Sequence, residues 1–202
     1  FIKDSLLSYI DLTNNFTLNE DSLIACISKK SKYSKLDFNA VAQGYSVDLV
    51  GDFLKAMGVE NFLVEIGGEL SSFGKNHENK LWRVGIEKPI DSSYVGEFEF
   101  QKIILLDNQS LATSGNYRKF KVINGRKFSH SIDPKSGFPA SNNLLSVTVV
   151  CQKAANADAL ATSFMVMGKD KAIDFLESNS KDSIFCFMVY DSAKPLKEWS
   201  NF

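Results

Sequence analysis

Between Leu81 and Phe128 three β-like runs, LWRVGIE, FEFQKIILL and FKVINGRKF, follow one another with no helical segment between them. Parallel neighbours need a crossover of a dozen residues or more, so this order does not fit strict βαβ alternation. The Asn124-Gly125 pair inside the third run is a strong two-residue hairpin signal. LLSVTVVC (144–151) reads as a buried strand by its branched residues, and SIFCFMVY (183–190) as a final strand. Helices enter at two places. NAVAQGYSVDLVGDFLKAM carries an apolar stripe at steps of four, Val41, Tyr45, Leu49 and Phe53, and Gly58 is placed to close it. The Ala-rich segment after Cys151 and the segment KDKAIDFLES form the second helical region. The start of the chain reads more weakly, as a short helix around KDSLLSYI and then SLIACIS as helix or strand. The expectation is one α+β domain over residues 1–202, with a mostly antiparallel mixed sheet and packed helices.

The length allows one good core, and no apolar run reaches the roughly 18 residues of a membrane span. A net charge of −1 with scattered Lys and Arg leaves no nucleic-acid footprint. Cys26, Cys151 and Cys186 have no CxxC spacing and supply no disulfide framework, and the last two sit in apolar runs that bury thiols. FIKDSLLSYI has neither an extended apolar core nor a cleavage site, and with Phe1 in first place we expect a shortened chain.

Five short stretches carry chemistry that the fold alone does not require. In ADALATSF, Asp158 and Thr162 stand four residues apart, on one face of a helix; they either point at water or converge on a ligand. In LDFNAVAQGYSVD, Asn39 is a candidate N-cap, and the helix start that follows it suits an anion. Gly67-Gly68 in EIGGEL permits a bulge, or the approach of a ligand to backbone. Ser114-Gly115-Asn116 in LATSGNYRKF is turn chemistry that can also bind phosphate. Asp133-Pro134-Lys135-Ser136-Gly137 has the residues of a tight turn, with His130 just before it, while His77 lies in the polar loop KNHENK.

Taken together and in order, DFNAVAQGYSVD, EIGGE, ATSGNY, HSIDPKSGFP and ADALAT resemble the FAD:protein FMN transferases, the ApbE-type flavin transferases, over residues 37–162, about two-thirds of the chain. The resemblance implies a T-fold-related α+β fold, and transfer of FMN from FAD to a Thr or Ser hydroxyl of a target protein with release of AMP. It implies Mg²⁺, bound by Asp158 and Thr162 with main-chain carbonyls of Ala40 and Ala161. It places Asp37, Gln43, Gly67, Gly68, Ser114, Gly115, His130 and Ile132 against the flavin nucleotide. Gln43 stands where many members carry Lys, so an amide replaces a charge there. With Asp158, His130 is the implied catalytic residue; an imidazole titrating near about 6.5 can accept the target's proton or bond a phosphate oxygen. The expected partner is a flavin-accepting protein, a subunit of a membrane redox complex. The expected setting is exported, periplasmic or on the outer face of the membrane, held there by an N-terminal lipoprotein anchor that this chain lacks. Members of the family carry a longer region before the first motif, where this chain has residues 1–36. Two alternatives remain open: an FAD pyrophosphatase using water in place of the hydroxyl, and a non-catalytic flavin-binding lobe.

Overall fold

The computed structural model describes residues 9–19, 25–89, 100–116, 120–123, 126–129, 131–192 and 196–202. A single helical turn, α1 (Leu12–Asn15), precedes a small antiparallel ribbon of β1 (Phe16–Asn19) and β2 (Cys26–Lys29). Thus Cys26–Ser28 of SLIACIS is strand, while residues 1–8, with most of KDSLLSYI, lie outside the described residues. Helix α2 (Ala42–Ala56) follows, then β3 (Phe62–Ile66), β4 (Glu69–Phe73), β5 (Trp82–Glu87), β6 (Phe100–Leu106) and β7 (Ser110–Gly115). A hairpin of β8 (Phe120–Ile123) and β9 (Arg126–Ser129) sets Ile123 opposite Arg126; its Asn124-Gly125 link lies outside the described residues. The chain then runs through β10 (Leu144–Cys151), α3 (Ala154–Met167), α4 (Lys169–Ser178), β11 (Phe185–Tyr190) and β12 (Lys197–Ser200).

Six strands form one sheet in the order β12-β11-β10-β7-β4-β3, and every neighbouring pair is antiparallel. The α+β expectation therefore holds. Strand β10 is buried at every position but Leu145, as a strand covered on both faces must be. Its alternating side chains divide between two cores. Val147, Val149 and Cys151 pack with Ala157, Ala161, Phe164 and Met165 of α3 and Ala172 and Leu176 of α4. On the other face Val150 joins Leu111, Phe187 and Val189 under Ile86, Ile104 and Leu106 of the β5–β6 ribbon. The molecule thus has three layers, helices on one face and a two-stranded ribbon on the other. Phe164 is fully buried and meets Phe175 edge-on, with ring centroids 5.5 Å apart. Removing such a side chain from water contributes about 1.5–3 kcal/mol.

Three features differ from the sequence reading. Ser114 and Gly115 are not in a turn but end strand β7, a central strand in which Leu111 and Ala112 are flanked by small hydroxyl residues. Its hydroxyls find partners across the sheet: Thr113 Oγ1 lies 2.8 Å from Thr148 Oγ1, and Ser110 Oγ lies 3.1 Å from Ser71 Oγ. Strand β12, polar and at the sheet edge, has no counterpart in the reading. The third difference concerns α2. Its apolar stripe points outward, with Tyr45 56%, Leu49 52% and Phe53 63% exposed, and the buried face is Gly44, Val47 and Gly51. Small residues on that face let α2 lie close against its neighbours, which outweighs the larger apolar area left outside. Leu49→Ser is accordingly expected to change unfolding free energy in urea by no more than about 0.5 kcal/mol. A loss of about 2–5 kcal/mol, as in core truncation, would contradict this orientation.

Candidate active site

Helix α2 begins at Ala42 without the cap expected from Asn39. The N–H groups of Val41 and Ala42 both donate to the Phe38 carbonyl, while Asp37 Oδ1 accepts the Asn39 N–H at 2.8 Å. At the third helical position, Gly44 N–H does not turn back to the Ala40 carbonyl four residues earlier. It donates instead to Asp158 Oδ2 on α3, at 3.1 Å. Among the described residues the Ala40 carbonyl thus receives no hydrogen bond. The crossing is close because Gly44 has no side chain. A Cβ there would overlap the Ala154 carbonyl oxygen and stand 2.6 Å from its carbon and 2.8 Å from Ala155 N.

On α3 the small residues Ala154, Ala157 and Ala161 are fully buried, which turns the Asp158–Thr162 stripe toward α2 and β7. Asp158 is only 5% exposed. Burial raises its carboxyl above the ordinary carboxylate range, and the Gly44 N–H pulls the other way. Its one hydrogen bond among the described residues is that from Gly44, so the rest of its acceptor capacity is free for a ligand. Thr162 Oγ1 lies 3.0 Å from Ser114 Oγ on β7.

These groups open onto a cavity of about 860 Å³, large enough for a dinucleotide-sized ligand. Asp158, Thr162, Ser114, Gly115, Gly67, Gly68 and Gln43 all line it. The two glycines make the two-residue turn between β3 and β4, at φ +67° and +110°. Their roles differ. The space a Cβ would fill at Gly67 is taken by the Gln43 amide, whereas Gly68 faces open room, with its N–H donating to Glu65 Oε1 at 2.9 Å.

Among the described residues, the charged side chains of the cavity wall are acidic. Glu65, Glu69 and Glu87 line it with Asp158, and no Lys, Arg or His does among the described residues. A phosphate entering such a cavity alone would be repelled; one arriving with a divalent cation would not. Among the described residues no three His, Cys, Asp or Glu side chains converge in a metal-binding group. The donor set on offer is therefore one buried carboxylate and neighbouring hydroxyls. Those are hard oxygen donors, few enough to leave positions for water and phosphate, and they fit Mg²⁺.

Asp37, Ala40, Ala161 and Ile132, also singled out in the sequence, do not line the cavity. Asp37 is tied up in its turn with Asn39, although Asn39 itself reaches the cavity wall. Ala40 is exposed beside it, and Ala161 is buried against the sheet within α3. Ile132 is half exposed and bridges Pro139 at the foot of the Asp133–Gly137 turn. That turn forms as expected, with Asp133 accepting from Lys135 N–H and Ser136 Oγ–H. Those two donors, the Lys135 N–H foremost, hold its carboxyl below the usual range. His130 lies outside the described residues. What the reading missed is the acidic wall; two of its members, Glu65 and Glu69, flank the double glycine in EIGGE.

The same chain matches known proteins over nearly its whole length. A "FAD:protein FMN transferase" of Haemophilus influenzae is 38% identical over 167 residues, 83% of this chain and 47% of the relative. Its namesake in Vibrio cholerae is 37% identical over 87% of this chain and 50% of the relative. The chain therefore spans about half the length of the curated relatives it matches. Among solved structures, "Flavin Transferase ApbE from Vibrio cholerae" superposes with a TM-score of 0.80 at 33% identity, covering 98% of this chain and 60% of that one. The apo Pseudomonas stutzeri flavinyl transferase ApbE gives 0.80 at 35% identity, covering 97% and 56%. With the sequence model of the ApbE family matching residues 3–187, on a fold shared with those flavin transferases, the chain belongs to the ApbE family.

Proposed function

We propose that this chain carries the cation-binding part of an FAD:protein FMN transferase site. In the reaction, a Thr or Ser hydroxyl oxygen of a target protein forms a bond to the FMN phosphorus of FAD. The bond from that phosphorus to the oxygen bridging to AMP breaks, AMP leaves, and the hydroxyl proton passes to a base. One observation carries the reading furthest: a buried carboxylate and a hydroxyl one turn apart on α3 share a cavity wall with Gly68 and Ser114, and the carboxylate's one hydrogen bond among the described residues is that from Gly44 N–H.

Asp158 supplies the charge that holds the cation, and burial strengthens that attraction by keeping water away. Thr162 and Ser114 present neutral hydroxyl oxygens to the same space. Mg²⁺ bound there would neutralise the pyrophosphate and offset charge growing on the departing AMP. Gln43, with its amide seated over Gly67, offers hydrogen bonds to the cavity without charge. We assign proton acceptance to His130.

The test is direct. The chain is incubated with FAD, Mg²⁺ and a candidate acceptor, and the acceptor is examined by in-gel flavin fluorescence and mass spectrometry. FMN-labelled acceptor, lost on chelation, is the expected result. FAD turning into FMN and AMP with no labelled acceptor would instead make the protein a pyrophosphatase. FAD binding indifferent to both Mg²⁺ and Asp158→Ala, with no turnover, would make it a non-catalytic lobe.

A further inference from the structure

We propose that Asp48 is a positioning residue that sets the placement of Asp158 by capping helix α3 from helix α2; the inference rests on the reading of Asp158 as a cation ligand. Helix α3 has no cap of its own. Its N-cap residue, Lys153, makes no side-chain bond to the helix start, which leaves the first free N–H groups to be satisfied from elsewhere. Asp48, on the second turn of α2, meets them with both oxygens. Oδ1 accepts the Ala154 N–H at 2.9 Å and Oδ2 the Ala155 N–H at 3.0 Å.

One turn earlier on α2 the traffic runs the other way. The first-turn N–H of Gly44 is taken by Asp158 of α3. Each helix therefore receives at its N-terminus a carboxylate from the other, and the two caps fix the helices in rotation and in axial register. A further polar tie between them is weaker. Lys153 Nζ lies 3.1 Å from Asp52 Oδ2, but both side chains are about half exposed, and such a pair contributes about 0–1 kcal/mol. Release of the Asp48 cap removes two of the three hydrogen bonds that set α3 against α2, and any resulting displacement of α3 lengthens the 3.1 Å bond from the Gly44 N–H and turns Asp158 from its place in the cavity. Groups that orient a metal ligand from behind typically change metal affinity by about 10–100-fold.

The experiment uses the whole chain and Mn²⁺ as probe. Isothermal titration compares wild type, Asp48→Ala, Asp48→Asn and Asp158→Ala, and hydrogen exchange follows the Gly44 amide in each without metal. Asp48→Ala is expected to bind Mn²⁺ about tenfold more weakly and to expose the Gly44 amide to faster exchange. Asp48→Asn, which keeps one acceptor oxygen in place, recovers part of both. Asp48→Ala that melts earlier but binds Mn²⁺ as wild type does, with Gly44 exchange unchanged, would reduce Asp48 to a stabilising cap and overturn the proposal. Should wild type and Asp158→Ala bind Mn²⁺ equally, the cation reading fails on its own. The Gly44 exchange rate then still decides whether Asp48 sets the Asp158 position.

Discussion

Asp158→Ala is expected to lower Mg²⁺-dependent FMN transfer by roughly a thousandfold while leaving the protein folded. A metal ion that offsets charge on a leaving phosphate supplies several kcal/mol, and each 1.36 kcal/mol is a factor of about ten. Asp158 is the sole acidic member of the proposed ligand set, so Thr162 and main-chain carbonyls alone cannot be expected to retain the ion. The fold survives for a separate reason. The substitution orphans one amide, on Gly44, at a cost of about 1–3 kcal/mol. It also removes a carboxyl that burial disfavours in its charged form. These oppose each other, so the melting curve should move little while the activity collapses. A matched fall in both would make Asp158 a folding residue. Thr162→Val, which takes away a neutral oxygen, should cost much less.

Gly44→Ala is expected to act in the opposite way, destabilising the fold by roughly 2–4 kcal/mol in urea unfolding. Helix propensity by itself favours Ala over Gly by about 1 kcal/mol, so an exposed site would show a gain. Here the new methyl runs into three backbone atoms of α3, and backbone cannot rotate away as a side-chain end can. The helices must separate. Separation costs packing and strains three linked hydrogen bonds, two at Asp48 and one at Asp158. Overpacking alone typically costs about 1–3 kcal/mol. A neutral or stabilising result would mean that α2 and α3 do not cross at Gly44.

The part of the structure legible in the sequence was the part governed by local periodicity. KDKAIDFLES is α4 residue for residue, LLSVTVVC is β10, and Gly58, at φ +79°, ends α2 two residues past Ala56. Direction was not legible. The stripe of Tyr45, Leu49 and Phe53 has helical spacing, yet nothing local says that Gly44, Val47 and Gly51 will take the inside instead. That choice is made at Gly44 by α3, more than a hundred residues away in the chain, and at Gly51 by Phe62 of β3 and Ser71 of β4. Strand β7 was hidden for a similar reason. SLATSG has turn residues by type, and only the hydroxyl partners on β4 and β10 make a buried strand of it.

The candidate site divides along the same line. The spacing of Asp158 and Thr162 fixes a shared helical face, and the structure brings that face to a cavity together with Ser114 and both glycines of EIGG. The reciprocal caps of Asp48 and Asp158, and the acidic wall with Glu65, Glu69 and Glu87, come from elements distant in sequence. The two glycines of EIGG look alike in sequence, yet only the missing side chain of Gly67 makes room for Gln43.

The central claim is that the carboxylate of Asp158 and the hydroxyl of Thr162 hold one divalent cation. Anomalous scattering from a crystal soaked in Mn²⁺ tests it most directly. One strong peak is expected within coordination distance of an Asp158 oxygen and Thr162 Oγ1, absent from Asp158→Ala crystals grown alongside. Manganese bound only elsewhere, or a peak that persists at the same place without the carboxylate, would contradict it.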